Sequence, residues 1–198
     1  MVQKIVITGG PFSGKTELLK KIRLSGYRTF TDVPQTIRKN EQDKAKYDKT
    51  YQPILPETHF ESFQDLVIQK QKELEALISP LHKITFQDKG FIDHYVHCSL
   101  EGMQPQQQLQ NAIKQANYSF AFVCDLLNPP ISISPLEIKN KQREIQQALI
   151  STYKAFNIPF EIVPQFSKYK NSAIKQRYNF IQQQIVCKEL YHEVFNNH

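Results

Sequence analysis

The sequence contains no tryptophan, three cysteines and no apolar run long enough for a membrane helix. Cys98, Cys124 and Cys187 are far apart and lack Cys-x-x-Cys spacing, which argues against a disulfide framework and a zinc site. Free thiols suit a reducing compartment, and no signal-peptide pattern precedes the first strand-like segment. A transmembrane helix needs about 20 apolar residues, and no such run occurs. We therefore expect a cytoplasmic protein without a transmembrane segment.

The rest of the composition is that of a globular chain of single-domain length. Of 198 residues, 40% are hydrophobic and 22% are charged, so residues 1–198 are expected to form one domain. The net charge of +6 allows an acidic partner, and a nucleotide, a phosphorylated substrate, nucleic acid and an anionic membrane all qualify. Because Lys and Arg are scattered and tryptophan is absent, a nucleic-acid surface is not favoured. The oligomeric state stays open.

The stretch GGPFSGKT at residues 9–16 has the spacing of a phosphate-binding P-loop, or Walker A motif. Its glycines allow a tight turn whose N–H groups reach phosphates, Lys15 supplies a positive charge, and the Thr16 hydroxyl is placed to ligate Mg²⁺. The apolar run at 5–7 predicts a strand before the loop, and 17–22 predicts a helix after it, whose N-terminus attracts anions. This order predicts nucleotide binding. The residues assigned to it are Gly9, Gly10, Pro11, Phe12, Ser13, Gly14, Lys15, Thr16 and Glu17.

Strand-like and helical segments alternate along the rest of the chain. Further strands are predicted at 27–31, 84–88, 119–124 and 160–163, and helices at 36–46, 57–78, 111–115, 135–156 and 172–190. This alternation predicts an α/β fold of three layers, with about five parallel strands and helices on both faces. In the long helix, an apolar stripe is expected to face the core: Phe60, Phe63, Val67, Leu74, Leu77 and Ile78.

Two carboxylates stand where predicted strands end. Asp32 follows the second strand and Asp88 closes the third. Because ligands of parallel sheets bind at the carboxyl ends of the strands, both are candidates for function. Asp88 is predicted to hold Mg²⁺ together with Thr16, directly or through water.

Other polar side chains are weaker candidates. Lys139, Lys141 and Arg143 begin the helix after the fourth strand, where a lid over the phosphates, residues 128–145, is expected. On the long helix, Gln64, Lys70 and Gln71 are candidates for contact with a substrate. His94 and His97 are three residues apart but lack a third ligand, so packing or surface roles are favoured over a metal site.

Several separated stretches together resemble the small AAA-type ATPase family of P-loop kinase-like proteins. They are ITGGPFSGKTELL, FQDLVIQKQKELE in the long helix, FQDKGFID at the third strand, NPP after the fourth strand and KNKQREIQQAL in the lid region. Relatives of this family include the nicotinamide riboside kinase domain of bifunctional NAD-biosynthesis proteins and, more distantly, deoxynucleoside and thymidylate kinases. The resemblance covers the chain from the first strand to the lid helix and implies ATP and Mg²⁺ as cofactors.

The resemblance also implies roles for individual residues. Asp32 lies where relatives carry an acidic residue that orients magnesium or accepts the proton of a substrate hydroxyl. Asp88 matches the strand-end Asp of the family's Asp-Arg-Gly element, and Arg143 matches an Arg of the lid. Two departures stand out. Lys89 replaces the Arg of that element, which loses a bidentate grip on a phosphate or carboxylate. Phe12 replaces a usual Gly, which is tolerable only if the position does not need a positive φ.

Three functions are compatible with these patterns. The first is Mg²⁺-dependent transfer of the γ-phosphoryl group of ATP to a small hydroxyl-bearing, nucleoside-like acceptor, with Lys15, Asp32, Asp88, Lys89 and Arg143 at the site. The second is a nucleotide-dependent regulatory switch that binds a partner or an acidic surface. The third is a structural module with a vestigial loop. Guanine specificity is not favoured, because the Asn140-Lys141 pair lacks the Asp two places on that reads guanine in Ras-like proteins.

Overall fold

The computed structural model describes residues 2–79, 81–105, 107–127, 135–167 and 170–187, with the backbone alone at 135–139 and 170. Five parallel strands form one sheet in the order β2-β3-β1-β4-β5. The elements, in chain order, are β1 Gln3–Thr8, α1 Lys15–Leu24, β2 Arg28–Phe30, α2 Val33–Tyr47, α3 Phe60–Ala76, β3 Ile84–Asp88, α4 Phe91–Leu100, α5 Gln107–Ala116, β4 Phe120–Cys124, α6 Pro135–Ala155, β5 Phe160–Val163 and α7 Lys170–Cys187.

The sheet is buried between two layers of helices, because the side chains of each central strand alternate between its faces. Ile5 and Ile7 of β1 pack with Phe122 of β4 against α1 and α7. Val6 and Ala121 point to the other face and pack against α3, α4, α5 and α6. A smaller apolar cluster joins α2 to α3. The predicted three-layer α/β fold with five parallel strands is therefore confirmed.

Several helix boundaries differ from the sequence prediction by a few residues, and two of these differences have structural consequences. α2 begins at Val33 and not at residue 36, because the Asp32 side chain accepts a hydrogen bond from the Gln35 backbone N–H and caps the helix. α3 ends at Ala76. Leu77, predicted to face the core, therefore lies beyond the helix and is 75% exposed, so that prediction is wrong.

Parts of two predictions lie outside the described residues. They are the NPP stretch with the first half of the lid region, 128–134, and the end of the last helix, 188–190. Within the described ranges, no helix is both long enough and apolar enough to cross a membrane.

Candidate functional site

The phosphate loop connects β1 to α1, and two of its three glycines occupy conformations that other residues rarely adopt. Gly9 has a φ of 141° and Gly14 a φ of 77°. A Cβ added to Gly9 would lie 2.7 Å from the Cys124 carbonyl oxygen, so the loop packs directly on the end of β4. Gly14 is the N-cap of α1, and the free N–H groups of the first helical turn therefore face the loop.

Phe12 also adopts a left-handed conformation, with a φ of 59°. The sequence expectation that Phe would be tolerated only where φ is not positive is therefore wrong. Such a conformation costs roughly 1–2 kcal/mol for a residue with a Cβ. The side chain of Phe12 is 46% exposed, so packing of the ring offsets only part of this cost.

Lys15 folds back over the loop, where its Nζ donates to the Gly10 carbonyl oxygen at 3.2 Å. Burial lowers the pKa of Lys15, and the charge of Lys89 lowers it further, while Asp88 and Asp93 raise it. The lysine is thus a partly desolvated cation at the centre of the loop. A polyphosphate bound there would supply the negative charge that burial makes favourable.

Asp88 at the end of β3 is the candidate ligand for Mg²⁺. Its side chain is buried, and its Oδ1 has no hydrogen-bond partner among the described residues. Burial, together with the nearby charge of Asp32, raises the pKa of Asp88 to about 6. Thr16 stands exposed in the first turn of α1. An unpartnered carboxylate oxygen and a hydroxyl fit a magnesium ion that keeps several waters.

Asp93 supports this region, a role that the sequence analysis did not assign. Its Oδ1 accepts a hydrogen bond from the Thr8 hydroxyl at 2.5 Å, and its Oδ2 accepts one from the Gly90 N–H at 2.9 Å. The carboxylate thereby caps α4 and ties it to the end of β1. Burial raises the pKa of Asp93. An acidic residue three places after an N-cap is the sequence signal that could have revealed this cap.

Arg177 of α7 holds the phosphate loop by hydrogen bonds to backbone carbonyl groups. The sequence analysis did not identify this residue. The side chain is 1% exposed and donates to three backbone carbonyl oxygens. Nη1 donates to Ser13 in the phosphate loop, Nη2 to Asp125 after β4 at 2.8 Å, and Nε to Pro164 after β5 at 2.9 Å. One guanidinium therefore joins three loops that share an edge of the sheet.

Helix α6 borders the loop on a further side. The Gln142 side chain donates to the Pro11 carbonyl oxygen at 2.5 Å, and a Cβ at Gly10 would lie 3.2 Å from the Gln142 carbonyl oxygen. On the same helix, Lys141 and Arg143 are exposed. The side chain of Lys139 lies outside the described part of the chain. The predicted cations thus lie on a helix that contacts the phosphate loop.

A cleft of about 250 Å³ includes in its lining Lys89, the residue that follows Asp88. At its inner end, Lys89 Nζ donates to Asp32 Oδ2 at 2.7 Å. Burial acts to lower the pKa of Lys89, but the charge and hydrogen bond of Asp32 outweigh it and leave the pKa raised. Lys89 itself has a φ of 65°. The lining residues are Asp32, Pro34, Gln35, Arg38, Pro56, Phe60, Phe63, Gln64, Lys89, His94 and His97.

Of the candidates on α3, only Gln64 lines this cleft. Lys70 lines a separate hollow between α2 and α3 and pairs with Glu73 at 3.0 Å. Gln71 is buried and donates to Gln87 and Glu75. The structure therefore brings Gln64 to Asp32 and Lys89 and places Lys70 elsewhere.

His94 and His97 of α4 form the cleft wall opposite α2. Burial lowers the pKa of His94 to about 3 and that of His97 to about 4. Both imidazoles are therefore uncharged at neutral pH and offer one donor and one acceptor nitrogen each. Within the described ranges, no three His, Cys, Asp or Glu side chains are grouped to hold a metal ion.

Comparisons with known proteins agree with this architecture. A family model described as an AAA domain matches residues 4–170, whereas no curated protein matches the chain. Among solved structures, a NadR protein in complex with NR has a TM-score of 0.60 and 16% identity over 92% of this chain. Because the match covers 50% of the NadR chain, this chain spans half of that protein's length.

Two thymidylate kinases have the same TM-score of 0.60. The enzyme from Candida albicans is 15% identical, over 96% of this chain and 93% of its own. The enzyme from Ehrlichia chaffeensis is 12% identical, over 93% of this chain and 98% of its own. At such identities the likeness establishes the fold, which is that of a P-loop kinase.

Proposed function

The chain belongs to the AAA domain family, and on that premise we propose that it transfers the γ-phosphoryl group of ATP, with Mg²⁺, to a hydroxyl group of a small nucleoside-like acceptor. The position of Asp88 carries the proposal, because it ends β3 beside the phosphate loop's strand, and the next residue, Lys89, lines the cleft and binds Asp32. A phosphate site and a cleft of small-molecule size are therefore neighbours at the carboxyl edge of the sheet. A switch that only binds a nucleotide needs no such cleft.

On the donor side, the N–H groups of the phosphate loop and Lys15 bind the phosphates of ATP. Thr16 and Asp88 hold the metal ion, which supplies neutralisation of the phosphate charge when it is bound. Arg143, with Lys139 and Lys141, approaches the phosphates from α6. Phosphoryl transfer asks for positioning and charge more than for covalent chemistry, and this arrangement supports both.

On the acceptor side, Asp32 is the base. The acceptor hydroxyl attacks the γ-phosphorus, the bond between that phosphorus and ADP breaks, and Asp32 takes the hydroxyl proton. Lys89 orients the carboxylate through the ion pair of 2.7 Å. Gln64 contacts the body of the acceptor from α3.

Two further predictions stay proposals. All five strands belong to one sheet, which supports assigning residues 1–198 to a single domain. A cytoplasmic location agrees with the three free cysteines, of which Cys98 and Cys124 are buried.

The test begins with a screen of small alcohols for stimulation of ATP consumption by the purified protein. With the acceptor identified, Asp32→Asn is expected to lower kcat by roughly a hundredfold or more and to leave the affinity for ATP unchanged. Lys15→Ala is expected to weaken ATP binding and abolish transfer. Asp43→Asn is the matched control, because Asp43 forms an ion pair with Lys46 within α2 and is not among the residues that line the cleft.

Two results would contradict the proposal. Full transfer by Asp32→Asn would remove Asp32 from the role of base. No stimulation by any small molecule, together with nucleotide-dependent binding to a protein or an acidic membrane, would establish the switch instead.

A further inference from the structure

Two buried polar side-chain atoms belong to residues that line the cleft. The Nε2 of His94 and the Oε1 of Gln64 are buried, and neither has a hydrogen-bond partner among the described residues. His94 is 1% exposed and belongs to the cleft lining, as does Gln64. A buried polar atom without a partner is costly, and a ligand that supplies the missing hydrogen bonds recovers that cost. Gln64 also lines a smaller hollow, but it shares the cleft with His94, so the pair is a candidate recognition site on α3 and α4.

The cations of the cleft are already paired. Lys89 is bound to Asp32 at 2.7 Å, and Arg38 forms an ion pair with Glu57. The inner pair is the less exposed, with 20% and 26% of the two side chains accessible. A phosphate group in the cleft would compete with Asp32 for Lys89 or with Glu57 for Arg38, and loss of the inner pair would leave Asp32 without its partner.

The remaining lining is neutral. His94 and His97 are uncharged at neutral pH because burial lowers the pKa of each. Phe60 and Phe63 supply apolar faces, on which a flat ring can stack. A volume of about 250 Å³ accommodates one ring system and a sugar-sized group.

We propose that the acceptor is an uncharged, ring-bearing alcohol of nucleoside size, without a phosphate group, and that His94 and Gln64 select it by hydrogen bonds to the edge of its ring. This inference rests on the proposed function and narrows its acceptor. It separates a nucleoside from a nucleoside monophosphate as the class of substrate.

Isothermal titration of the protein, loaded with Mg²⁺ and a non-hydrolysable ATP analogue, tests the inference. The probes are adenosine, guanosine, cytidine, uridine and thymidine, each beside its 5′-monophosphate. At least one nucleoside is expected to bind, and its monophosphate is expected to bind at least tenfold more weakly. His94→Leu and Gln64→Leu are each expected to weaken nucleoside binding about tenfold, the equivalent of one good hydrogen bond.

Matched variants separate recognition from folding. His94→Gln keeps a donor and an acceptor and is expected to restore part of the affinity that His94→Leu loses. Gln69→Leu makes the same chemical change as Gln64→Leu on the exposed side of α3 and is expected to leave binding unchanged. The affinity of each variant for the ATP analogue is measured first. Only variants that bind the analogue as tightly as the unaltered protein are compared, because this affinity shows that the phosphate loop is intact.

The outcomes for the inference and for the proposed function differ. Tighter binding of a monophosphate that Arg38→Gln abolishes, binding of no nucleoside, or unchanged affinity in His94→Leu and Gln64→Leu would overturn the inference. Phosphoryl transfer is then measured with the nucleoside that binds. Absence of transfer despite tight binding would contradict the proposed function and leave the assignment of the recognition site intact.

Discussion

Phe12 is the residue of the phosphate loop whose backbone conformation is least favourable for its residue type. Its φ of 59° places a Cβ in the left-handed region, which glycine occupies without penalty. We predict that Phe12→Gly is more stable than Phe12→Ala by about 1 kcal/mol, because both lose the ring and only alanine keeps the Cβ. Urea denaturation of the two variants measures this difference.

Lys20 supplies the control for this comparison. It is exposed within α1 and has ordinary helical geometry, so Lys20→Ala is expected to exceed Lys20→Gly in stability by about 1 kcal/mol. The order of Ala and Gly should thus reverse between the two sites. The same order at both would mean that residue 12 is not held in the left-handed region in solution.

Arg177 is the second residue whose role can be measured directly. Replacing it by Met leaves the carbonyl groups of Ser13, Asp125 and Pro164 without their donor. Each buried carbonyl that loses its partner costs on the order of 1 kcal/mol or more. We predict that Arg177→Met lowers the free energy of unfolding by about 3 kcal/mol and that Arg177→Lys, with one donor group, recovers part of the loss.

The affinity for ATP provides a second measurement of the role of Arg177, besides stability. Because Arg177 holds the Ser13 carbonyl, Arg177→Lys is expected to bind ATP several-fold more weakly at a temperature where it remains folded. Arg23→Lys, at the exposed end of α1, is the control and should change neither quantity. Unchanged ATP affinity in folded Arg177→Lys would reduce Arg177 to a purely structural residue.

These residues also mark how far the sequence could predict the site. Asp32, Asp88 and Lys89 could be found because they stand at strand ends, and parallel strands bring such positions to one edge. Arg177 could not, since its three partners are backbone carbonyls in loops distant along the chain. The left-handed φ of Phe12 could not be predicted either, because phenylalanine is not a residue type that favours this conformation.

Among the elements, helix α2 shows how one side chain can serve both folding and function. Asp32 Oδ1 accepts from the Gln35 N–H at 3.3 Å and caps α2, while Oδ2 binds Lys89. The sequence prediction begins this helix at residue 36, with the polar and charged run, and does not identify Asp32 as its cap. An N-cap has a fixed place relative to its helix, so the candidate base is positioned by the element that lines the acceptor cleft.

The bounds of β3 and β5 were predicted as the structure has them, 84–88 and 160–163. Their apolar residues are bounded by a carboxylate or a proline, and such breaks in the pattern are strong local signals. Helix ends were less predictable, as Leu77 illustrates. The apolar stripe continues past Ala76, but the chain leaves the helix there to reach β3.

At the scale of the whole molecule, the alternation of strands and helices predicted three layers but not the order of the strands. The order β2-β3-β1-β4-β5 places β1 at the centre, between β3 and β4. The chain leaves β1 towards β2 on one side, whereas the connection from β3 to β4 crosses to the other side, and this change of direction opens a crevice at the carboxyl edge. The phosphate loop follows β1, Asp88 ends β3 and Asp125 follows β4. The order of the strands therefore brings these residues to one site.

A site built from so many elements should couple nucleotide binding to the stability of the whole molecule. A ligand that binds only the folded state at a hundred times its Kd adds about 2.7 kcal/mol, or roughly 5–10 °C in Tm for a chain of this length. We therefore predict that ATP with Mg²⁺ raises the Tm by that amount, as measured by calorimetry.

EDTA should remove part of the rise, because Asp88 and Thr16 then lack the ion that links them to the phosphates. Lys15→Ala should remove most of it, whereas the exposed variant Asp43→Asn should show the full rise. A Tm that ATP leaves unchanged in the presence of Mg²⁺ would mean that the loop binds no nucleotide and would support the vestigial module over both other functions.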